Sequence, residues 1–347
     1  MSNNHKEKKK QHFVPQCYLE SWEIPNTHQV YVYNKKSKKS YIANIENVAA
    51  ERYFYDIDLT GIVSESDLKE FGFSDYDPKR IDDDQYIENY FANNIEIDFS
   101  KRLKRIIDRV KTITPWEIKN CCFISEKDKL SFSNHLALQR IRGKSVRNSI
   151  EDSNDCMLQV LEDMGASPEV IAKNTIPKHG FSYIHGKMIL EKDHIKEMTL
   201  LFFSLSWLLL INKTNHPFYT CDSPIGTWAH INHPFLSMSG LNSKGVEAFF
   251  PISPNIMLVM FDGDYHSFMN GNDRRMVEVN DLENVELYNR RCALLSDMCV
   301  FSQVNDFSTI KKMLSEKPDI FNIPHTSLQW GGKTYTPRKT KQENNNA

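Results

Sequence analysis

Residues 207–224 read WLLLINKTNHPFYTCDSP, and the way this stretch divides sets the fold class. Trp207 to Ile211 is an unbroken apolar run of five residues, the length of a buried strand rather than of a helix. Asn212, Lys213, Thr214, Asn215 and Pro217 then supply turn chemistry, and Phe218 to Asp222 returns as a second arm. The stretch therefore predicts a buried β-hairpin. Downstream, FFPISPNIMLVMFD (249–262) predicts more strand, with Pro251 and Pro254 suiting an edge or a bend. MCVFSQ (298–303) predicts another strand, while 281–295 and 306–315 have helical spacing. Upstream, VYVYNKKSKKSY (30–41) alternates apolar and polar residues around a Lys- and Ser-rich turn, which predicts a hairpin, and a further strand is expected to end near Tyr55.

Between these strand-rich ends lie helices. Asp82 to Asp84 precede Ile87, Phe91, Ile95, Phe99, Leu103, Ile106 and Val110, a helical spacing begun by carboxylates suited to a helix's positive end. Thr114, Pro115 and Glu117 form a capping-box pattern with proline at the first helical position. Ser125 with Asp128, and Ser167 with Pro168, offer two more starts, and 189–204 can also be helical. Residues 57–80 lack periodicity and read as a loop. The expected class is α+β: a sheet from the N- and C-terminal thirds, a helical layer at about 82–174, and a strand-rich part at about 205–303. One domain, 11–330, is expected between basic disordered tails at 1–10 and 331–347.

The formal net charge is −2, but each tail carries a net +3, so the body between them carries −8. Basic tails suit contact with a polyanion, because Lys and Arg release counterions from phosphates; an acidic body repels one outside a local groove. Seven cysteines without a CxxC pair exclude a zinc ribbon and a disulfide scaffold. The start lacks an apolar leader, and the richest apolar run, 200–211, falls short of the roughly 20 residues that span a bilayer. A cytoplasmic protein with no membrane association is expected.

Several segments in order resemble the DUF4238 family, a group of microbial proteins named for having no assigned function. They are HFVPQCYL (12–19), VYVYNKKSKKSY (30–41), ALQRIRGKSVR (137–147), FYTCDSPIG (218–226), FFPISPNIMLV (249–259) and ELYNRR (286–291). The His-x-x-Pro opening and the Thr-x-Asp-x-Pro motif are the specific parts. The sequence departs from the family pattern at Cys221, where serine is more usual, and at Ser223, where asparagine is common. The resemblance implies a shared fold and no known substrate.

Three constellations carry possible chemistry. Pro15 suits the first turn of a short helix reaching about Trp22, which places His12 just ahead of a helix N-terminus, where a lowered pKa suits a general base; the alternative is a histidine satisfying a backbone carbonyl. Thr220 and Asp222 share one face of a strand end, where Asp222 either orients His12, binds a metal or a ribose hydroxyl, or caps an Asx-type turn. Gln139, Arg140, Arg142, Lys144 and Arg147 form a basic element whose guanidinium forks suit phosphate or carboxylate, or surface pairing to the acidic body. Glu88 and Glu96, eight apart, either complete a metal site or pair these arginines. No motif specifies a cofactor; a divalent metal on Asp222, Glu88 and Glu96 is the one these carboxylates allow. Walker, GxGxxG and GxSxG patterns are absent.

The leading expectation is a nuclease-type hydrolase acting on phosphodiesters, of the kind bacteria deploy in stress or phage defence. His12 is its general acid or base, Asp222 the orienting carboxylate, and Arg142 with Gln139 the stabiliser of phosphate charge. Nucleic acid would be recruited by the tails and by Arg140, Arg142, Lys144 and Arg147. The alternatives are a nucleotide- or NAD-using transferase such as an ADP-ribosyltransferase, and a non-catalytic binding module.

Overall fold

The computed structural model describes residues 9–57, 85–233, 237–269, 271–322 and 326–338. The expected loop, the carboxylates Asp82 to Asp84 and the ends of both basic tails lie largely outside these. The chain opens with β1 (Lys10–His12), α1 (Gln16–Leu19), the hairpin β2 (Gln29–Asn34) and β3 (Lys39–Asn44), and β4 (Ala50–Arg52), which returns antiparallel to β1. Helices follow: α2 (Tyr86–Tyr90), α3 (Glu96–Thr112), α4 (Pro115–Asn120), α5 (Glu126–Ile141), α6 (Lys144–Asp163), α7 (Pro168–Asn174), α8 (Lys178–Leu190) and α9 (Lys192–Ser204). The remainder is β5 (Ser206–Asn212), β6 (Thr220–Cys221), β7 (Gly226–Ala229), β8 (Val246–Ser253), β9 (Ile256–Phe261), β10 (Arg275–Val279), α10 (Leu282–Leu295), β11 (Cys299–Ser302), α11 (Ser308–Glu316), β12 (Leu328–Trp330) and β13 (Lys333–Tyr335). The fold is α+β.

Local signals act as the sequence prescribes. Thr114 and Glu117 close a capping box on α4, Ser125 caps α5, Ser167 caps α7 and Asp281 caps α10. The long helix expected across 87–110 is interrupted by a π-turn at Phe91–Ile95. The helical layer runs on to Ser204, well past 174, and the helix expected across 189–204 is divided at the extended residue Glu191.

The expected hairpin at 207–222 does not form. β5 joins a five-stranded sheet of order β10-β5-β9-β8-β7, whereas β6 joins a four-stranded sheet of order β3-β2-β11-β6. The backbone between them is spent elsewhere: Asn212 accepts from Thr214 N and donates to His216 O, Phe218 N donates to Pro254 O, and Tyr219 N donates to the Asn289 side chain. Pro217 has no N–H to contribute to a ladder. β8 is an interior strand, so Pro251 within it marks a bend and not an edge, and Pro254 lies in the turn to β9; the register shifts between Pro251 and Ser253.

One face of the five-stranded sheet presents Trp207 and Phe250 to Phe99 of α3 and Phe132 of α5, with the rings 6.0–6.3 Å apart. The other presents Phe249 to Tyr288 of α10 at 5.8 Å. Tyr18 ties the two sheets together: its hydroxyl donates to Pro251 O on β8 at 2.6 Å and lies 2.5 Å from the Thr220 hydroxyl on β6. The segment after 330, expected to be a disordered tail, forms β13 and continues through Arg338. Tyr335 packs on Cys156 and Val160 of α6, while Lys333 pairs with Asp163 and Arg338 with Asp155 and Glu162. The tail's charge complements an acidic helix face and so folds back. Among the described residues no helix is long and apolar enough to cross a membrane.

Candidate functional site

His12, Gln139 and Arg142 come together, but behind the protein surface. His12 is buried, and its Nε2 lies 3.2 Å from Glu46 O. Burial lowers its pKa, against the opposing pull of the Glu46 carbonyl and Glu96. Gln139 donates to Phe13 O at 3.0 Å, and Arg142 donates to His12 O. These two side chains, three residues apart on α5 and its C-cap, thus clamp consecutive carbonyls of the His-x-x-Pro segment. Arg142 is 2% exposed; it pairs with Glu96 at 2.9 Å and lies over the Phe91 ring at 4.0 Å. Glu96 therefore neutralises a buried guanidinium, as one reading of the sequence allowed. Among the described residues no group of three His, Cys, Asp or Glu side chains is placed to hold a metal.

Asp222 does not orient His12. Its Oδ1 accepts from Asp297 N at 2.8 Å, and its Oδ2 accepts from Met298 N and Cys299 N, both at 2.7 Å. The carboxylate thus caps the turn from α10 into β11. Burial, followed by the charge of Asp297, pushes its pKa up to about 6, while the N–H donors and Lys35 pull it down. The backbone readings of both His12 and Asp222 describe their bonding.

The basic element straddles the junction of α5 and α6 at Gly143. Beside it opens a cleft of about 910 Å³, whose walls include Arg140, Lys144 and Asn148 on one side and Ser223 to Thr227 with Asp297 on the other. The two family-like motifs therefore face each other across one concavity. Lys144 is paired with Glu51, which, with Asp297 and Asp222, more than offsets burial and holds its pKa above the ordinary lysine value. Arg147 turns away, lying 3.8 Å over the Phe54 ring and 3.2 Å from His185 Nδ1. Arg140 differs from both. Its one hydrogen bond to a described residue is to Ile225 O at 3.3 Å, it has no acid partner among the described residues, and burial lowers its pKa. Ser223 Oγ is buried without a hydrogen-bond partner there. The first turn of α6 carries no acidic residue and no side-chain cap, although Lys144 occupies its positive end. Unpaired guanidinium, orphaned hydroxyl and uncapped helix N-terminus all suit an anion.

A family model described as "Protein of unknown function (DUF4238)" matches residues 10–306. The chain belongs to the DUF4238 family. No curated protein and no solved structure matches it. In this DUF4238 chain the cleft also depends on residues that sequence reading passed over. Asn148 donates to Asp297 at 2.7 Å and braces the two walls. Asp297 sits just past the C-terminus of α10, where an acid is electrostatically disfavoured, and that misplaced charge was its one signal in the sequence.

Proposed function

We propose that the cleft is the working site and that it takes a phosphate-bearing ligand of the nucleotide or nucleic-acid class, with phosphodiester hydrolysis as the reaction. The observation that carries this reading is Arg140: a partly buried guanidinium lining the cleft that forms no salt bridge with any described carboxylate, although Glu151, Asp152 and Asp297 also line it. An unpaired cation in such a place is costly, and an anionic ligand removes the cost. A cleft of about 910 Å³ is of the size that holds a nucleotide or a short stretch of strand. In this reading Arg140 and Ser223 touch the phosphate, while Arg142, Gln139 and Asp222 are positioning residues that fix the cleft walls. The cysteines are all free, in keeping with a reducing, cytoplasmic setting.

The test is induced expression of wild type, Arg140→Ala and Arg140→Lys in bacteria, with growth, RNA, DNA and NAD pools followed together. Degraded RNA or DNA with wild type, abolished by Arg140→Ala, is expected. Loss of NAD instead moves the activity to a nucleotide-using transferase, and unchanged pools with every variant overturn the enzymatic reading.

A further inference from the structure

β8 reads VEAFFPIS, and one charged residue inside a fully buried apolar strand demands partners. Glu247 has three. Oε1 accepts from Tyr288 Oη at 2.7 Å and from Arg291 at 2.8 Å, both on α10, and Oε2 lies 2.6 Å from His230 Nε2. Trp228 stands opposite Glu247 on β7, and the alternation of a strand puts His230, just beyond β7, on that same face.

The dyad is graded from inside to outside. The Glu247 side chain is 3% exposed and that of His230 is 32% exposed. Tyr288 and Arg291 hold one carboxylate oxygen, so the other accepts from His230 Nε2 and leaves Nδ1 as the ring nitrogen turned away from Glu247. This is the acid-orients-imidazole arrangement of hydrolytic sites. A second histidine, this one buried, abuts it: the His266 ring meets His230 edge-on at 4.8 Å. Burial, followed by the charge of His230, lowers the His266 pKa, and a hydrogen bond with the Gly245 backbone, then the carboxylates Glu247 and Asp262, oppose this. His266 Nε2 and Arg291 Nε are buried with no hydrogen-bond partner among the described residues. A purely structural cluster is expected to satisfy such atoms; two orphans beside an oriented imidazole point to a missing polar ligand.

Gly226 and Thr227, at the start of β7, line the cleft, and His230 lies five residues beyond Ile225, whose carbonyl Arg140 contacts, about 16 Å along the strand. We propose that His230, oriented by Glu247, is the general base that activates water for attack on a phosphorus of a nucleic-acid strand, another phosphate of which, about two nucleotides away, is held at Arg140. This rests on the reading of the cleft given above. Nδ1 takes a proton from water as the water oxygen bonds to phosphorus. The ester P–O bond breaks in line with the entering water, its electron pair leaves on the alkoxide oxygen, that oxygen takes a proton from solvent, and the imidazolium releases its own proton to solvent. Glu247 remains ionised and balances the transient imidazolium.

The experiment uses the full chain with labelled single-stranded RNA and DNA oligonucleotides, and phosphorothioate versions for binding. His230→Ala, on a partly exposed side chain, is expected to melt with wild type and to bind unchanged, yet to cleave about 100-fold more slowly or worse. Added imidazole is expected to restore part of that loss, which a structural role does not allow. Wild-type cleavage by His230→Ala, or a loss that imidazole leaves untouched, overturns the dyad. If Arg140→Ala abolishes binding while His230→Ala cleaves normally, the cleft reading stands and the dyad falls. If wild type neither binds nor cleaves the oligonucleotides, both fall.

Discussion

Replacing Asp222 separates a structural carboxylate from a reacting one. In Asp222→Ala the N–H groups of Asp297, Met298 and Cys299 lose their common acceptor, and Lys35 loses a counter-charge. Hydrogen bonds to a charged acceptor are worth roughly 1.5–3 kcal/mol each, but Asp297 and Met298 are accessible enough to regain water, so a net loss of about 3 kcal/mol is expected. At about 2.1 cal/mol/K per residue the unfolding entropy of 347 residues is about 0.7 kcal/mol/K, and the midpoint falls by about 4 °C. Asp222→Asn keeps one oxygen for the two donors on Oδ2 and is expected to lose about half as much. The assay is thermal unfolding at pH 7.5, where the carboxyl is ionised, alongside whatever cellular effect wild type shows. If both variants melt with wild type while that effect disappears, Asp222 is a reacting group and the capping argument is wrong.

Three further outcomes follow from particular contacts. His185 is fully buried, with Nε2 2.7 Å from Ile141 O and Nδ1 3.2 Å from Arg147, and burial, then Arg147, lowers its pKa to about 4. The unfolded chain protonates first as pH falls through 6.5, so up to about 3 kcal/mol of stability, complete above 6.5, is lost on approaching pH 4; the melting temperature of His185→Gln is expected to fall less steeply between pH 7 and 4.5 than that of wild type. Tyr18→Phe removes the hydroxyl that joins Thr220 to Pro251 and leaves a buried carbonyl unpaired, which costs about 1–3 kcal/mol in urea unfolding; an unchanged midpoint would deny the bridge. Gly226→Ala sets a Cβ 2.1 Å from Phe249 Cζ, and overpacking of about 1–3 kcal/mol is expected by the same measurement, with wild-type stability refuting that close approach.

Helix starts were legible because the signals are local: Thr114 with Glu117, Ser125 and Ser167 each satisfy donors within one turn. Strand partners were not, because Trp207 to Ile211 and Thr220 to Cys221 each look like strands whatever they pair with. Partners far along the chain, β9 and β10 for one and β11, Asn289 and Pro254 for the other, decide that the two part company. The π-turn at Phe91–Ile95 has no residue signature, since the apolar spacing continues through it. At the site, the residue types that drew notice were right about charge but blind to direction. Arg142 and Arg140 are two residues apart; one points inward to Glu96 and the other lines the cleft without an acid. Glu247 was hidden in a fully buried, largely apolar strand, where its incongruity was the available clue.

The pairing of β2 with β11, Tyr31 to Asn34 against Cys299 to Ser302, has a consequence for how the chain is made. At roughly 5–20 residues per second, the ribosome delivers β11 on the order of 15–50 seconds after β2. Throughout that interval the nascent β2–β3 hairpin carries an unsatisfied edge of backbone donors and acceptors, open to any extended segment nearby. Synthesis rate and chaperone holding of the first 60 or so residues therefore bear on the yield of folded protein as directly as any contact in the finished core.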